Sequence, residues 1–341
     1  MRTRIGLALL TALAAMLPLV GRAEPPQPNT LARLTFSSGW DAIPAIVGIE
    51  RGFFAQEGLV VSGLAVTNGE AVMKSLSAGT TDFAAVPQRT FLVMVAAKLP
   101  VKALAMNGWG TRAQLVVSPA LADAKSIRDL ERKTIAVNTG SEVFPALIRL
   151  LNQSKMKPSD VKIAQLHADD LVLALKKKKA DAVFASAHFT EPLVAHGDAR
   201  VLLSDTDIVK ATGFVGAQPL VASDKTIERD PAMVQKFVNG WVKANLYIEQ
   251  DPDDAARLLQ IFFHRQGVSA SPEQAKAWVE MTHHDRSVWS KDDIADADYN
   301  GWGMVEGGIL KVRPKLDGYV DTSFARKATA KLGAPAAAKQ D

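Results

Sequence analysis

The chain has 341 residues, 48% of them hydrophobic, a formal charge of +4 and no cysteine. Without cysteine there can be no disulfide, thiolate metal site, cysteine nucleophile or lipidated N-terminal cysteine. The length suits two units of the usual domain size, about 100–200 residues each, and the small net charge gives no footing for nucleic-acid binding.

At the N-terminus, Arg2 and Arg4 precede an apolar run from Ile5 to Val20, followed by Gly21-Arg22-Ala23. A charged start, a short apolar stretch and a small-x-small site predict a cleavable secretory signal over residues 1–23. The run is short for a membrane span, which needs about 20 apolar residues. Cleavage would remove Arg2, Arg4 and Arg22 and take the formal charge from +4 to +1. An exported chain without a lipid anchor fits the periplasm. Residues 24–30 form a Pro-rich lead-in, and no later segment is long and apolar enough to span a bilayer.

The stretch from Gly39 to Val61 organises the chain. Before it, the apolar run Leu31–Phe36 reads as a strand, and Ser37 and Ser38 suit a helix cap. A helix over about 41–51 carries Ile43, Ile46, Val47 and Ile49, with Pro44 in its first turn, where a missing N–H costs little. Gly52 stops it and Gly58 turns the chain into a strand at Leu59. Further strands are expected at Phe83–Val86 and Val101–Met106, with helices at about 70–78 and 88–97. Strands alternating with helices predict a parallel sheet covered on both faces.

After a strand at Gln114–Ser118 the same order begins again. Ser126-Ile-Arg-Asp129 reads as a capping box with Asp in place of Glu. Strands come next at Thr134–Asn138, Val161–Leu166, Asp181–Ala185 and Arg200–Leu203, with helices at about 143–154, 169–178 and 190–197. Gln114–Ser118 and Phe214–Ser223 read as two hinge strands between the lobes. From Asp230 the pattern turns helical, with starts at Pro231, Asp251-Pro252 and Ser271-Pro272, and these helices are expected to wrap lobe one. The expected organisation is a discontinuous lobe one (31–115 and 219–332), lobe two (116–218) and a disordered tail (333–341).

Trp40, then Pro44, Gly52-Phe-Phe54 and Glu57-Gly-Leu59 resemble the opening of the solute-binding proteins of the nitrate, sulfonate, taurine and thiamine-precursor ABC importers. The likeness continues through Gly69–Asp82, Ser126–Ser141, Ala180-Asp181-Ala182, Gly307–Leu310 and Val320–Phe324, so it covers about residues 31–328. The chain departs from that family where a Trp-x-Pro segment is usual: Phe189-Thr190-Glu191-Pro192 comes later and lacks the Trp. The resemblance implies an α/β periplasmic binding protein fold of the two-lobed type II kind. Each lobe would hold a mainly parallel sheet, and the protein would be a receptor serving a membrane permease and a cytoplasmic ATPase.

In open α/β sheets ligands sit at the C-terminal ends of the strands. That rule selects the loops holding Ser38, Trp40, Asp41, Asn68, Gln88, Arg89 and Trp109 in lobe one, and Thr139, Ser141, Glu142 and His188 in lobe two. Trp40 and Trp109 could wall a ligand or simply pack on a helix. The Thr139-Gly140-Ser141 helix start could hold an anionic oxygen or be an ordinary cap. Arg89 could take a carboxylate or sulfonate, or could bridge the lobes. Asp41, Glu70 and Glu142 could oppose it and suit an amine, or could only favour their helix starts. His188 could bond a ligand or be structural. His283 and His284 point about 100° apart on a predicted helix and make a poor metal pair.

No phosphate loop, His-Glu-x-x-His or Gly-x-Ser-x-Gly occurs, and the Lys176–Lys179 run reads as a solvated helix end. These readings predict a monomeric periplasmic receptor with no enzyme activity, cofactor, metal or nucleic acid. It would capture a small sulfonate, carboxylate or zwitterion by lobe closure. The alternatives are an aromatic or heterocyclic ligand such as a thiamine precursor, a sensor module, or an enzyme on the same scaffold.

Overall fold

The structure, a computed structural model, describes residues 30–333 apart from 67, 68, 111, 140 and 142, and leaves the side chains of residues 40, 168 and 169 undescribed. The expected signal segment and nearly all of the expected disordered tail lie outside those residues.

The first sheet begins with β1 (Thr30–Ser37), followed by α1 (Ile43–Glu50), α2 (Phe53–Gln56), β2 (Leu59–Val66), α3 (Gly69–Ser77), β3 (Phe83–Ala85), α4 (Gln88–Ala96) and β4 (Val101–Gly108). The second is built from β5 (Ala113–Val117), β6 (Thr134–Val137), α5 (Phe144–Gln153), β7 (Lys162–Gln165), α6 (Ala168–Ala174), β8 (Ala182–Ser186), α7 (Ala187–Ala195), β9 (Arg200–Leu203) and α8 (Asp205–Thr212). The chain then returns to the first sheet through β10 (Gln218–Ser223). It ends in α9 (Asp224–Arg229), α10 (Pro231–Gln250), α11 (Pro252–Arg265), α12 (Pro272–Val279), α13 (Lys291–Glu306) and α14 (Ser323–Leu332).

The sheet orders are β2-β1-β3-β10-β4 and β7-β6-β8-β5-β9. In the first, β1 pairs parallel with β2 and β3, while β10 runs antiparallel to β3 and β4. In the second, β6 pairs parallel with β7 and β8, and β5 runs antiparallel to β8 and β9. The strands read as hinge elements are therefore full members of the sheets. Leu115, Val116 and Val117 are completely buried, and an apolar run of that kind shows a buried strand without showing which sheet accepts it. The crossings themselves fall between β4 and β5 and between α8 and β10.

Local chemistry explains most of the helix ends. Asp230, Asp251 and Ser271 each accept a backbone N–H of the following first turn, at 2.8, 3.0 and 3.2 Å, with Pro next in each case. The Ser126–Asp129 box forms as expected, but it caps only a 3-10 turn over Ile127–Leu130. Ser37 and Ser38 do not cap α1. A 3-10 turn, Trp40–Ala42, intervenes, and Ala42 stands at the cap position without a side-chain bond.

The main core lies between the first sheet and the C-terminal helices. The Phe237 ring of α10 stacks on Phe83 at 3.8 Å and on Phe54 at 4.6 Å. Phe54 fits there because Gly48 and Gly240 flank its ring. A Cβ on either would approach the ring to 2.5 or 2.6 Å, closer than van der Waals contact allows. The C-terminal helices do not all stay with the first lobe: α13 also packs on α5 of the second. Among the described residues no helix is long and apolar enough to cross a membrane.

Candidate functional site

The C-terminal ends of β1, β2 and β3 and the starts of α3 and α4 meet in a recess of about 80 Å³. Ser37, Val66, Gly69, Val86, Pro87 and Thr90 are among the residues that line it. The loop after β1 is fixed by its own backbone: Ser38 N–H donates to Val66 O at 2.8 Å, and Gly39 N–H donates to Ser37 Oγ at 3.1 Å. Asp41 lies behind this loop, 8% exposed, with Oδ2 buried and unpartnered. Burial pushes its carboxyl up to about 6, and a hydrogen bond with Ser37 only partly opposes that. Its main-chain oxygen accepts from Asn107 Nδ2 at 2.9 Å.

Arg89 is the second residue of α4. Its Nε is buried without a hydrogen-bond partner, and no ion pair among the described residues involves it. Loss of solvation lowers its pKa, with no carboxylate contributing. A half-buried guanidinium is costly to hold without an anion, so this group is suited to receive one.

Two of the expected contacts are committed elsewhere. Gln88 is 4% exposed. Its Nε2 donates to Ala217 O at 3.0 Å and its Oε1 accepts from Asn300 Nδ2 at 2.8 Å. Trp109 donates from Nε1 to Asp285 at 2.7 Å, lies 4.5 Å from the His283 ring and carries the Arg286 guanidinium on its face. Of the two readings of Trp109, packing is the one these contacts support. His283 itself sits in the loop after α12, joined to Trp109 by backbone bonds of 3.0 and 2.8 Å.

In the second lobe, the helix after Ser141 starts later than the sequence suggested. α5 opens at Phe144 with Pro145 beside it, and no side chain caps it. Ser141 instead donates its hydroxyl to Asn138 O at 2.6 Å, and Thr139 is half-buried next to it. The His188 ring lies tilted against that of Phe189, 3.8 Å between centres, and its Nδ1 is buried without a partner. Burial lowers its pKa to about 4, so the ring is neutral at pH 7. The Trp40 side chain, Asn68 and Glu142 lie outside the described residues. Glu70 is exposed and pairs with Lys74 on its own helix.

Three further residues lie beside these contacts, two of them, Thr90 and Asn107, in strand-end loops expected from the sequence but not singled out as ligand contacts. Thr90 lines the recess, and Asn107 and Gln218 form a buried amide pair at the base of the same sheet, 3.4 Å apart. Asn107 carried a readable signal: a polar residue directly after the apolar run Val101–Met106, at a strand's C-terminal end. Thr90 also ends the expected strand-end loop that holds Gln88 and Arg89, whereas Gln218 carried no signal, because it meets Asn107 only through the pairing of β10 with β4.

Residues 40–255 match the model of the family described as NMT1/THI5 like. A Brucella abortus protein described as a binding protein is 23% identical over 93% of this chain and 96% of its own. Among solved structures, the periplasmic aliphatic sulphonate binding protein SsuA of Escherichia coli superimposes with a TM-score of 0.71 at 14% identity. That match covers 85% of this chain and 97% of SsuA. The sulfonate-binding protein SsuA of Methylobacillus flagellatus gives 0.73 at 17% identity, over 90% and 96%. At these identities the structural likeness establishes the periplasmic binding protein fold.

Proposed function

The chain belongs to the NMT1/THI5-like family, and from that premise we propose that it is the solute-binding component of an ABC importer, exported to the periplasm by its N-terminal signal. It takes a small organic anion or zwitterion between its lobes and passes it to a membrane permease driven by a cytoplasmic ATPase. The observation that carries the reading is Arg89, a buried guanidinium nitrogen with no partner at the strand ends of lobe one. The uncapped start of α5 in the other lobe adds a second electropositive element. Closure of two lobes on one solute lets each supply part of the contacts. The fold neighbours that bind sulfonates support that ligand class. The neutral His188 beside the Phe189 ring favours a second reading, an aromatic or heterocyclic solute.

The test is a melting-temperature screen of residues 24–341 against taurine, alkyl and aryl sulfonates, dicarboxylates, aromatic acids, amines and pyrimidines. A ligand at 100 times its Kd stabilises the native state by about 2.7 kcal/mol. A shift confined to sulfonates, carboxylates or zwitterions supports the proposal. A shift confined to amines or neutral heterocycles overturns the anion reading.

A further inference from the structure

The lobes are joined by more than the two crossings, through α13. Ala297 and Met304 of α13 are buried in a core of the first lobe, Trp302 packs on the core of the second, and Ile309, just beyond the helix, packs on both. A continuous polar chain runs through this helix. Arg149 of α5 pairs with Asp296 of α13, the two being 14% and 3% exposed. Asp296 Oδ2 also accepts Gly216 N–H of the return crossing at 3.3 Å and Asn300 Nδ2 at 3.0 Å. Asn300 Nδ2 donates as well to Gln88 Oε1 at 2.8 Å, and Gln88 closes the chain on Ala217 O at 3.0 Å. The Arg149 guanidinium lies 4.3 Å from the Tyr299 ring centre, so its second face is covered by α13 too.

We infer that Asp296, with Arg149 and Asn300, is a positioning residue for the cleft: it fixes the angle between the lobes by tying the helix after Ser141 to the helix that begins Gln88-Arg89. The physical ground is twofold. Burial raises the Asp296 pKa and Arg149 opposes that, so separating the pair strands a charge away from water, which is far costlier than breaking an exposed pair. The surfaces also leave little slack. A Cβ on Gly307, at the end of α13, would collide with the Phe144 ring of α5. Changing the lobe angle moves α5 against α4 and has to rearrange this chain. The lobe angle is set by these internal contacts whichever solute the cleft takes.

The absence of cysteine allows a direct test. Ser62→Cys on β2 and Lys177→Cys after α6 are both exposed, one in each lobe. Nitroxide labels at these two positions report the lobe separation by double electron–electron resonance, with no ligand added. The parent should give one narrow distance distribution. Asp296→Asn and Arg149→Met should each displace or broaden it, and Arg149→Lys should narrow it again. Arg229→Met, which breaks an ion pair with Asp82 inside lobe one, should leave it as in the parent. Distributions of Asp296→Asn and Arg149→Met that superimpose on the parent's would overturn the inference. Asp296→Asn keeps the shape of the side chain, so it decides the matter alone if Arg149→Met does not fold.

Discussion

Two arginines separate the two faces of the lobe junction. On the hinge side, Arg149 has its charge matched by Asp296 and its face covered by Tyr299. Arg286 is likewise paired with the buried Asp293. On the cleft side, Arg89 Nε, His188 Nδ1 and Asp41 Oδ2 are all buried and unpartnered. Native proteins pair nearly all their buried polar groups; Arg149 Nε and Asn300 Oδ1 at α13 are unpaired as well, but there the guanidinium charge is matched by a carboxylate of the chain itself. The charge of Arg149 is matched within the chain, while no ion pair among the described residues matches that of Arg89.

Substitutions sharpen this contrast, because the two sides should fail in different measurements. The largest effect expected is on binding. Arg89→Ala should abolish the melting shift produced by any anionic compound that shifts the parent, while leaving the unliganded melting temperature unchanged or raised, since no ion pair among the described residues is lost. The next largest is on stability. Asp296→Ala strands Arg149 and should cost about 3–5 kcal/mol in urea unfolding. If instead Arg89→Ala destabilised the protein and Asp296→Ala did not, the division between the two sides would collapse.

Asp41 provides a pH test. Its carboxyl is raised to about 6 by burial, so the folded state holds the proton more tightly than the unfolded one. Its contribution to stability is complete below the ordinary Asp range near pH 4 and is lost as pH rises through about 6. Asp41→Asn should remove that dependence and raise stability at pH 7 by roughly 2–3 kcal/mol, from the conversion of a pKa shift to free energy. His188 works in the opposite sense. Its folded pKa of about 4 gives stability that is present above about 6.5 and lost as pH falls through 4. Stability–pH curves of the parent and Asp41→Asn, compared between pH 4 and 7, separate the two. The smallest effect expected is Gly307→Ala, which crowds Phe144 and should cost about 1–3 kcal/mol, read from the urea midpoint.

The element order was legible in the sequence because each lobe spells it in apolar runs broken by Gly, Pro and capping residues. The destination of those runs was not. Gln114–Ser118 reads as a strand whichever sheet takes it, and the pattern of α13 shows a buried face without showing that the face is shared by two lobes. Site residues were legible as positions, since strand C-termini can be located from hydrophobic patterning. Their freedom was not legible. Gln88 and Arg89 are adjacent and look equally available, yet one is bonded at both ends of its amide by Ala217 and Asn300, more than 120 residues away, and the Nε of the other is buried without a partner. Trp109 is another such case, held by Asp285 and His283 from the far end of the chain.

The most direct test of the account is hydrogen–deuterium exchange with and without the compound that shifts melting most among taurine, the sulfonates and the dicarboxylates. Capture between two lobes predicts added protection in residues 86–92 and in residues 141–148 at once, with the loss of both in Arg89→Ala. Protection confined to one lobe, or protection that survives in Arg89→Ala, would contradict the account.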